Sequence, residues 1–515
     1  MRPSGRPGEL FDAFSRITGR ALADDRLLAC PVLSKAPHQG DILGRFLRRE
    51  PYPPLGPAGR VRLAARYCLT NGGHFCFLLL TRLFLVLLRW RLPWAVLRAK
   101  DAPPAAILDT FALLPGLARD GGFKEGYLPG LDRALQQEGH IPVRLYRLYG
   151  SRRPRVLWKA LRVLAAAGPG ITEAGLFSWS DWFRLLWHCL AYPPALYRLI
   201  RSLDGADPAS PEAWIRGALV RTAGQNVLDG EARRLAGLRL GAALASLPRT
   251  SRLISWYENQ TGNKALCRGL SQAERLTGRH IPCVGAQLFI WPDTLLNNHP
   301  DDGEAALGLA PDLVLVNGPF FLPEKTIQNY ATGPSLRYGH LFAPLAAAEE
   351  SGPLLVLLSY HPKETARVLD LVLPLARAGR ALAYRFHPAV RAEEFASRLP
   401  PSPALADGPL IQALRSCGAV IGAGSGSLAE AAALDLPVIQ AEDPSGIPGL
   451  GLNYLPPCGR GRLWEAVRQT GDIEPALLRL RACRAHPAHA AEVAAFRDLL
   501  FTAPTPEAVR RAFLA

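Results

Sequence analysis

The sequence predicts an α/β protein of two parallel-sheet domains facing a cleft, with a helical N-terminal extension. Three observations carry this. Short strands that are apolar along their whole length alternate with helical segments, the pattern of parallel sheets covered on both faces. The alternation runs twice, on either side of a Pro/Gly/Ala-rich stretch near 333–352. The chain of 515 residues is too long for one ordinary core and fits two domains plus an extension.

Residues 1–100 read as a basic, helical extension. Residues 51–100 hold eight Arg or Lys and no Asp or Glu, and His74–Leu97 is the most apolar run in the chain. Arg82, Arg89 and Arg91 interrupt that run, and each is costly at a bilayer centre. With Arg82 and Arg89 seven residues apart and Trp90 and Trp94 nearby, the run reads as a helix lying in a membrane interface, or else as part of a buried helix pair in a large α-rich domain. Phe177–Ile200 has the same aromatic and basic character. The first 30 residues are charged and lack the apolar core of a cleavable signal, so the expected location is cytoplasmic.

The first α/β domain spans 101–340. It opens with a strand at Ala105–Leu113, a Gly-containing loop, a helix near 128–139 and a strand at Ile141–Tyr149. A helical insertion follows over about 155–246. Strands at Ser251–Asn259, His280–Ile290 and Pro311–Gly318 resume the sheet, with a helix at 262–278 between the first two. The second domain, 341–515, shows a strand ending near Tyr360, a helix at 363–379, a strand through Ala381–Pro388 and a helix at 408–417. A strand into Gly422, a helix at 428–434 and a strand at Pro437–Asp443 complete it, before C-terminal helices.

Composition limits the chemistry. The nine cysteines show no C-x-x-C or Cys/His spacing, so neither a zinc site nor a disulfide framework is expected. No D-x-D follows a strand, and Asp301-Asp302 reads as a solvated polar turn, so no metal site is expected. The net charge of +16 favours anionic partners, and its concentration beside the apolar run points to lipid rather than nucleic acid.

The most informative segment is Ala419–Ile439. An apolar strand runs into Gly422, Gly424 and Gly426 and then a helix, with Ser425 and Ser427 adding hydroxyls. Glycines let backbone approach a ligand and a helix start offers unpaired N–H groups, so this loop suits a phosphate. Ser427-x-x-Glu430 also reads as a capping box. His387-Pro388 ends the strand upstream, at the carboxyl edge where parallel sheets bind ligands. Arg385 lies two residues back, on the face of His387, as a further cation. His361-Pro362-Lys363 ends the preceding strand and either flanks the same cleft or starts a helix.

The order of a strand ending in His-Pro and then a Ser/Gly loop with Glu on the next helix resembles the donor half of GT-B glycosyltransferases. The His-Pro and serine motifs look like those of bacterial enzymes that use CMP-activated acids such as sialic acid or Kdo. That resemblance implies that His387, Ser425 and Ser427 contact the nucleotide, with Pro388, Gly424, Gly426 and Glu430 shaping the site. The middle of the chain also resembles a bacterial surface-carbohydrate (O-antigen) biosynthesis family, through Tyr257–Gln260, Val284–Gln287, Pro311–Gly318 and Ser335–Leu341. It departs from that family at Asn263-Lys264, where an aromatic-acidic pair is expected, and at Leu288, where a His is expected.

The resemblance implies a GT-B-like pair of Rossmann-type domains and transfer from a nucleotide-sugar to a glycan or lipid-linked acceptor. It also implies action in lipopolysaccharide or capsule synthesis at the inner membrane surface, with no cofactor beyond the donor substrate. Sugar-nucleotide 2-epimerases share the fold, so the fold alone does not choose the reaction. A non-catalytic assembly scaffold is a third reading. For the base, Glu258 at the end of a strand and Glu125 in the first loop are the candidates, with Asp109 and Asp293 behind them.

Overall fold

The computed structural model describes residues 5–36, 39–168, 170–249, 251–343, 352–388, 390–447, 449–451 and 453–514. The first sheet contains β1 (Ala105–Leu113), β2 (Ile141–Tyr149), β3 (Gly170–Thr172), β4 (Arg252–Trp256), β5 (Cys283–Gln287), β6 (Leu313–Val316) and β7 (Tyr330–Thr332). The second contains β8 (Leu354–Leu357), β9 (Leu382–Arg385), β10 (Ala404–Leu405), β11 (Ala419–Gly422), β12 (Val438–Ala441) and β13 (Trp464–Val467). Their spatial orders are 3-2-1-4-5-6-7 and 10-9-8-11-12-13, and the ladders are parallel throughout.

Each order reverses once, between β1 and β4 and between β8 and β11. Two Rossmann-type domains therefore each present a switch-point crevice at the carboxyl ends of their strands. Strands β8, β11 and β12 are buried at every position, as their unbroken apolar sequences require. The two crevices face one another across a cleft lined from both domains. This is the GT-B-like arrangement expected.

The extension holds α1 (Gly5–Ala21), α2 (Ile42–Arg48), α3 (Pro57–Leu87) and the single turn α4 (Trp94–Leu97). Within the first domain follow α5 (Leu114–Asp120), α6 (Leu131–Gln137), α7 (Pro154–Ala166), α8 (Glu173–Leu176), α9 (Trp179–Ser202), α10 (Pro211–Thr222), α11 (Leu228–Ala245), α12 (Thr261–Thr277) and α13 (Asp302–Ala306). The second domain adds α14 (Pro362–Arg377), α15 (Leu410–Arg415), α16 (Ser427–Ala433), α17 (Ile473–Arg484) and α18 (His489–Leu500). A last helix, α19 (Pro506–Phe513), returns to the first sheet, where Val509 and Phe513 pack with Leu108 and Ile254. The part of the expected linker at 344–351 lies outside the described residues.

Several expectations are corrected here. The apolar run His74–Leu97 is not one helix. It holds the second half of α3, which starts at Pro57 and stops at Leu87, then a turn through Arg89 at φ 50°, and the single turn α4. Arg82 and Arg89 thus share no helical face, and the Arg82 guanidinium donates to the Gly175 carbonyl. Asn71, His74, Phe77, Leu78, Thr81 and Leu85 of α3 are buried, so one side of this helix belongs to the core. By length and mean hydropathy α3 also meets the criterion for a spanning helix, which many core helices meet.

Asp301 is not solvated. Its carboxylate lies 2.5 Å from the ammonium of Lys35, itself buried in the extension, while Glu304 bridges Lys35 and Lys264 at 2.9 and 2.6 Å. The capping box at Ser427 is not formed: α16 is capped by Gly426 without a side-chain bond. Glu430 turns instead toward His340, with 3.1 Å between Oε2 and Nε2.

Candidate functional site

The cleft between the domains is a cavity of about 620 Å³, within the range of small-molecule sites. On the second-domain side, Ser359, Tyr360 and His361 follow the end of β8, and His387 lies two residues beyond the end of β9. The Tyr360 ring lies 3.9 Å from that of His361 and 5.5 Å from that of His387, centroid to centroid. Burial lowers the pKa of both imidazoles, and the charge of His361 lowers that of His387 further. Both rings are therefore neutral at neutral pH, each offering one N–H donor.

Between β11 and α16 the loop Gly424–Ser427 forms the floor. Gly424 takes φ +61°, a conformation costing an L-residue about 1–2 kcal/mol. Its carbonyl accepts from the Ser359 hydroxyl at 3.2 Å, tying this loop to the end of β8. At Gly426 a Cβ would meet Ile290 of the opposite domain at 3.2 Å, so the missing side chain lets the domains approach. Since α16 has only seven residues, a phosphate here would be held by the loop and its surroundings rather than by a long helix dipole.

The first-domain side is an aromatic platform. Trp256 ends β4 with its ring 4.7 Å from Tyr127 and 5.1 Å from Phe289. The Arg337 guanidinium lies 5.8 Å and 5.7 Å from the centres of Tyr127 and Trp256. Beside them stands Glu258. Its Oε1 accepts from the Trp256 indole at 2.9 Å, its Oε2 from the Gln260 amide at 2.7 Å, and its backbone carbonyl from the Asn297 amide at 2.6 Å. Tyr127 and Tyr360, on opposite walls, both have hydroxyls made harder to ionise, first by burial and then by the Glu258 charge.

The departures noted in sequence have a structural meaning. Asn263 bonds the Glu258 and Gln260 backbone amides through Oδ1 and donates to the Trp256 carbonyl at 2.9 Å, clamping the turn after β4. Lys264 is buried against Glu304, and burial brings its pKa down to about 8. Asn259, at φ 47°, donates to Glu304 at 3.3 Å. Leu288 is fully buried in the first-domain core.

His387, Gly424, Ser425, Gly426, Ser427, Glu430 and Glu258 are thus brought together around one cavity. Arg385 is placed elsewhere. It donates to the Ala406 and Gly408 carbonyls at 2.9 and 2.7 Å and fastens the sheet edge, while Pro388 is exposed in the following turn. Glu125 holds the first loop: its Oε1 accepts from Thr110, Tyr127 N and Leu128 N. Asp109 is buried against Arg233 at 2.5 Å and accepts from Ser255, and Asp293 sits in a separate surface pocket. Sequence reasoning assigned no role to Arg337, Asn297 or Tyr454, which line the cleft. For Arg337 a signal existed, since it lies in the Ser335–Leu341 segment already singled out. Among the described residues no group of three or more His, Cys, Asp or Glu is placed to hold a metal ion.

A second cavity, of about 820 Å³, opens beside the first and shares Tyr127, Glu258 and Gln260 with it. It is walled by the ends of β1 and β2, by the loop Gly150–Arg152 and by His74 and Phe77 of α3.

No protein-family model and no curated protein matches the chain. Among solved structures, it is similar to the spinosyn rhamnosyltransferase SpnG complexed with spinosyn aglycone, at 15% identity, 79% of this chain, 98% of that chain and a TM-score of 0.38. MurG of Acinetobacter baumannii is similar at 12% identity, 79% of this chain, 99% of that chain and a TM-score of 0.38. UDP-GlcNAc 2-epimerase from Neisseria meningitidis, bound to UDP-GlcNAc, gives 11% identity, 79%, 99% and 0.41. Likenesses this distant say nothing about substrate, so function has to be argued from the site itself.

Proposed function

We propose that this chain is a glycosyltransferase that binds a nucleotide-sugar in the interdomain cleft and transfers the sugar to an acceptor entering from the second cavity. The observation that carries the reading is Glu258, a carboxylate at the junction of the two cavities. The donor phosphate lies against Gly424–Ser427 and His387, with Arg337 offsetting charge from the opposite wall. Glu258 takes the proton of an acceptor hydroxyl. The hydroxyl oxygen forms its bond to the anomeric carbon as the bond from that carbon to the phosphate oxygen breaks, and the nucleotide leaves with the electron pair. The protein needs no metal of its own in this scheme. A CMP-linked acid sugar is the donor we favour, on the His-Pro and serine motifs, and surface polysaccharide synthesis is the setting. A 2-epimerase on the same fold works on the donor alone and gives no purpose to the second cavity.

Calorimetric titration with CMP, UDP and GDP tests the donor half. One nucleotide is expected to bind, and His387→Asn to weaken it about tenfold, the value of one hydrogen bond to a charged group. Acidification protonates a His whose pKa burial holds below the ordinary imidazole value, adding a cation, so affinity is expected to rise as pH falls below the ordinary imidazole range. His387→Asn removes the imidazole's share of that rise and separates it from titration of the nucleotide. If none of the three binds, or if His387→Asn leaves affinity unchanged, the reading fails.

We also infer a seat on an anionic membrane surface at the cytoplasmic side. Helix α9 turns Trp179, Phe183, Trp187 and Leu190 outward, Trp179 being 84% exposed, and α3 does the same with Leu69, Leu83, Val86 and Leu87. The two helices run antiparallel, with Phe75 against Trp182 and Tyr67 against Tyr192. The acid on α9, Asp181, is buried against Arg239, so the cations around the pair meet no exposed carboxylate of either helix. Flotation with phosphatidylglycerol vesicles should carry the protein upward, less so in high salt and less so for Trp187→Glu. Flotation unaffected by Trp187→Glu contradicts this placement.

A further inference from the structure

The loop 288–301 joins β5 to α13 and carries two adjacent amides, Asn297 and Asn298, on a single 3₁₀ turn. Both line the interdomain cleft and neither lines the second cavity; they are 4% and 2% exposed. Asn297 Nδ2 donates to the Glu258 carbonyl at 2.6 Å and to Asn298 Oδ1 at 3.0 Å. Gln287, the last residue of β5, donates to the Asn298 carbonyl at 3.2 Å and holds the turn in place. These bonds fix which way each amide points. Turning Asn297 over would set its oxygen against two acceptors, and turning Asn298 over would set its NH₂ against that of Asn297.

One acceptor and one donor are left over. Asn297 Oδ1 and Asn298 Nδ2 have no hydrogen-bond partner among the described residues. Buried amide atoms are nearly always bonded, and leaving two open costs free energy that a ligand group removes. The loop also fixes where such a group would sit. A Cβ on Gly426 would meet Ile290 at 3.2 Å, so the loop lies against the phosphate-binding turn at Ile290 and against Glu258 at Asn297. A sugar joined to a phosphate on Gly424–Ser427, with its anomeric carbon toward Glu258, runs along this loop. A hydroxyl donates one hydrogen bond and accepts another, and so matches the two open atoms. A carboxylate only accepts and would set negative charge against Asn297 Oδ1, while an ammonium only donates and would leave Asn298 Nδ2 unpaired.

We propose that Asn297 and Asn298 form the subsite for one hydroxyl of the donor sugar, which donates to Asn297 Oδ1 and accepts from Asn298 Nδ2. The inference rests on the donor reading above and adds to it the residues that select the sugar. Asn297 also carries the Glu258 carbonyl, so one side chain serves both sugar recognition and the placement of the base. A sugar that fills the pair is thereby set in register with Glu258.

Calorimetry on the full chain with conjugated and free nucleotides tests this. The probes are CMP-N-acetylneuraminic acid against CMP, UDP-glucose against UDP, and GDP-mannose against GDP. Asn298→Ala removes the open donor and leaves Asn297 bonded to the Glu258 carbonyl. For the pair that the wild-type chain binds, the variant is expected to bind the sugar conjugate about tenfold more weakly and the free nucleotide as before. A second reading needs no variant. Among conjugates with one sugar hydroxyl replaced by hydrogen, the wild-type chain is expected to lose about tenfold in affinity at one position. Conjugate and free nucleotide changing equally in Asn298→Ala, or no sensitive position among the deoxy conjugates, overturns the subsite while leaving the donor reading standing. Failure of the wild-type chain to bind any of the free nucleotides overturns the donor reading instead.

Discussion

Replacing Glu258 by Gln is expected to lower kcat by about 10²–10⁴-fold, the range for removing a general base, with little change in donor affinity. The side chain is held by two donors, the Trp256 indole and the Gln260 amide, one to each carboxylate oxygen. A Gln amide keeps one acceptor and turns its NH₂ toward the other donor, so the turn is slightly loosened while the base is abolished. Calorimetry on the variant separates the two effects, because the phosphate-facing residues lie across the cleft on the second domain. Transfer within threefold of the wild type would remove Glu258 from the mechanism. Glu125→Gln is the natural companion: with its Oε1 engaged by Thr110 and two backbone amides, it should act through the shape of the loop.

The second large effect is expected far from the cleft. Lys35→Met should destabilise the protein by about 3–5 kcal/mol, the cost of stranding a buried charge by removing its partner. The Lys35 side chain is fully buried and bridges Asp301 and Glu304. Without it Lys264 still neutralises Glu304, but Asp301 is left as an uncompensated carboxylate. The midpoint of urea unfolding measures the change. The same network reaches the site, since Glu304 accepts from Asn259, the neighbour of Glu258 held at positive φ. Turnover should therefore fall in Lys35→Met more than nucleotide affinity does. An unfolding midpoint equal to that of the wild type would show the cluster to be dispensable.

Much of the architecture was legible because parallel strands covered on both faces advertise themselves. Ala105–Leu113 and Ile141–Tyr149 are read to the residue, and the strands β8, β9, β11 and β12 are found with their helices. β3 and β7, three residues each, carry too little pattern to be seen. The apolar run at His74–Leu97 misled because hydrophobicity marks burial and not helix ends. The Pro57 start was a usable signal, whereas the left-handed turn at Arg89 has no glycine to announce it.

At the site, residues at strand ends were legible and those from loops were not. His387 and Ser425 follow strands whose carboxyl ends define the crevice. Arg385 was placed beside His387 by strand alternation, but β9 ends at Arg385, so the alternation stops before the His is reached. Arg337 stands on a short 3₁₀ segment, and only the tertiary fold brings it over Trp256. Lys35 and Asp301 are 266 residues apart, and no local pattern pairs them.

A structure of the protein with its nucleotide bound tests the central claim most directly. The account predicts the phosphate against Gly424–Ser427 within hydrogen-bond reach of His387, and the reactive carbon turned toward Glu258 at the junction of the two cavities. A nucleotide seated outside this cleft, or one whose sugar end faces away from Glu258, would contradict it.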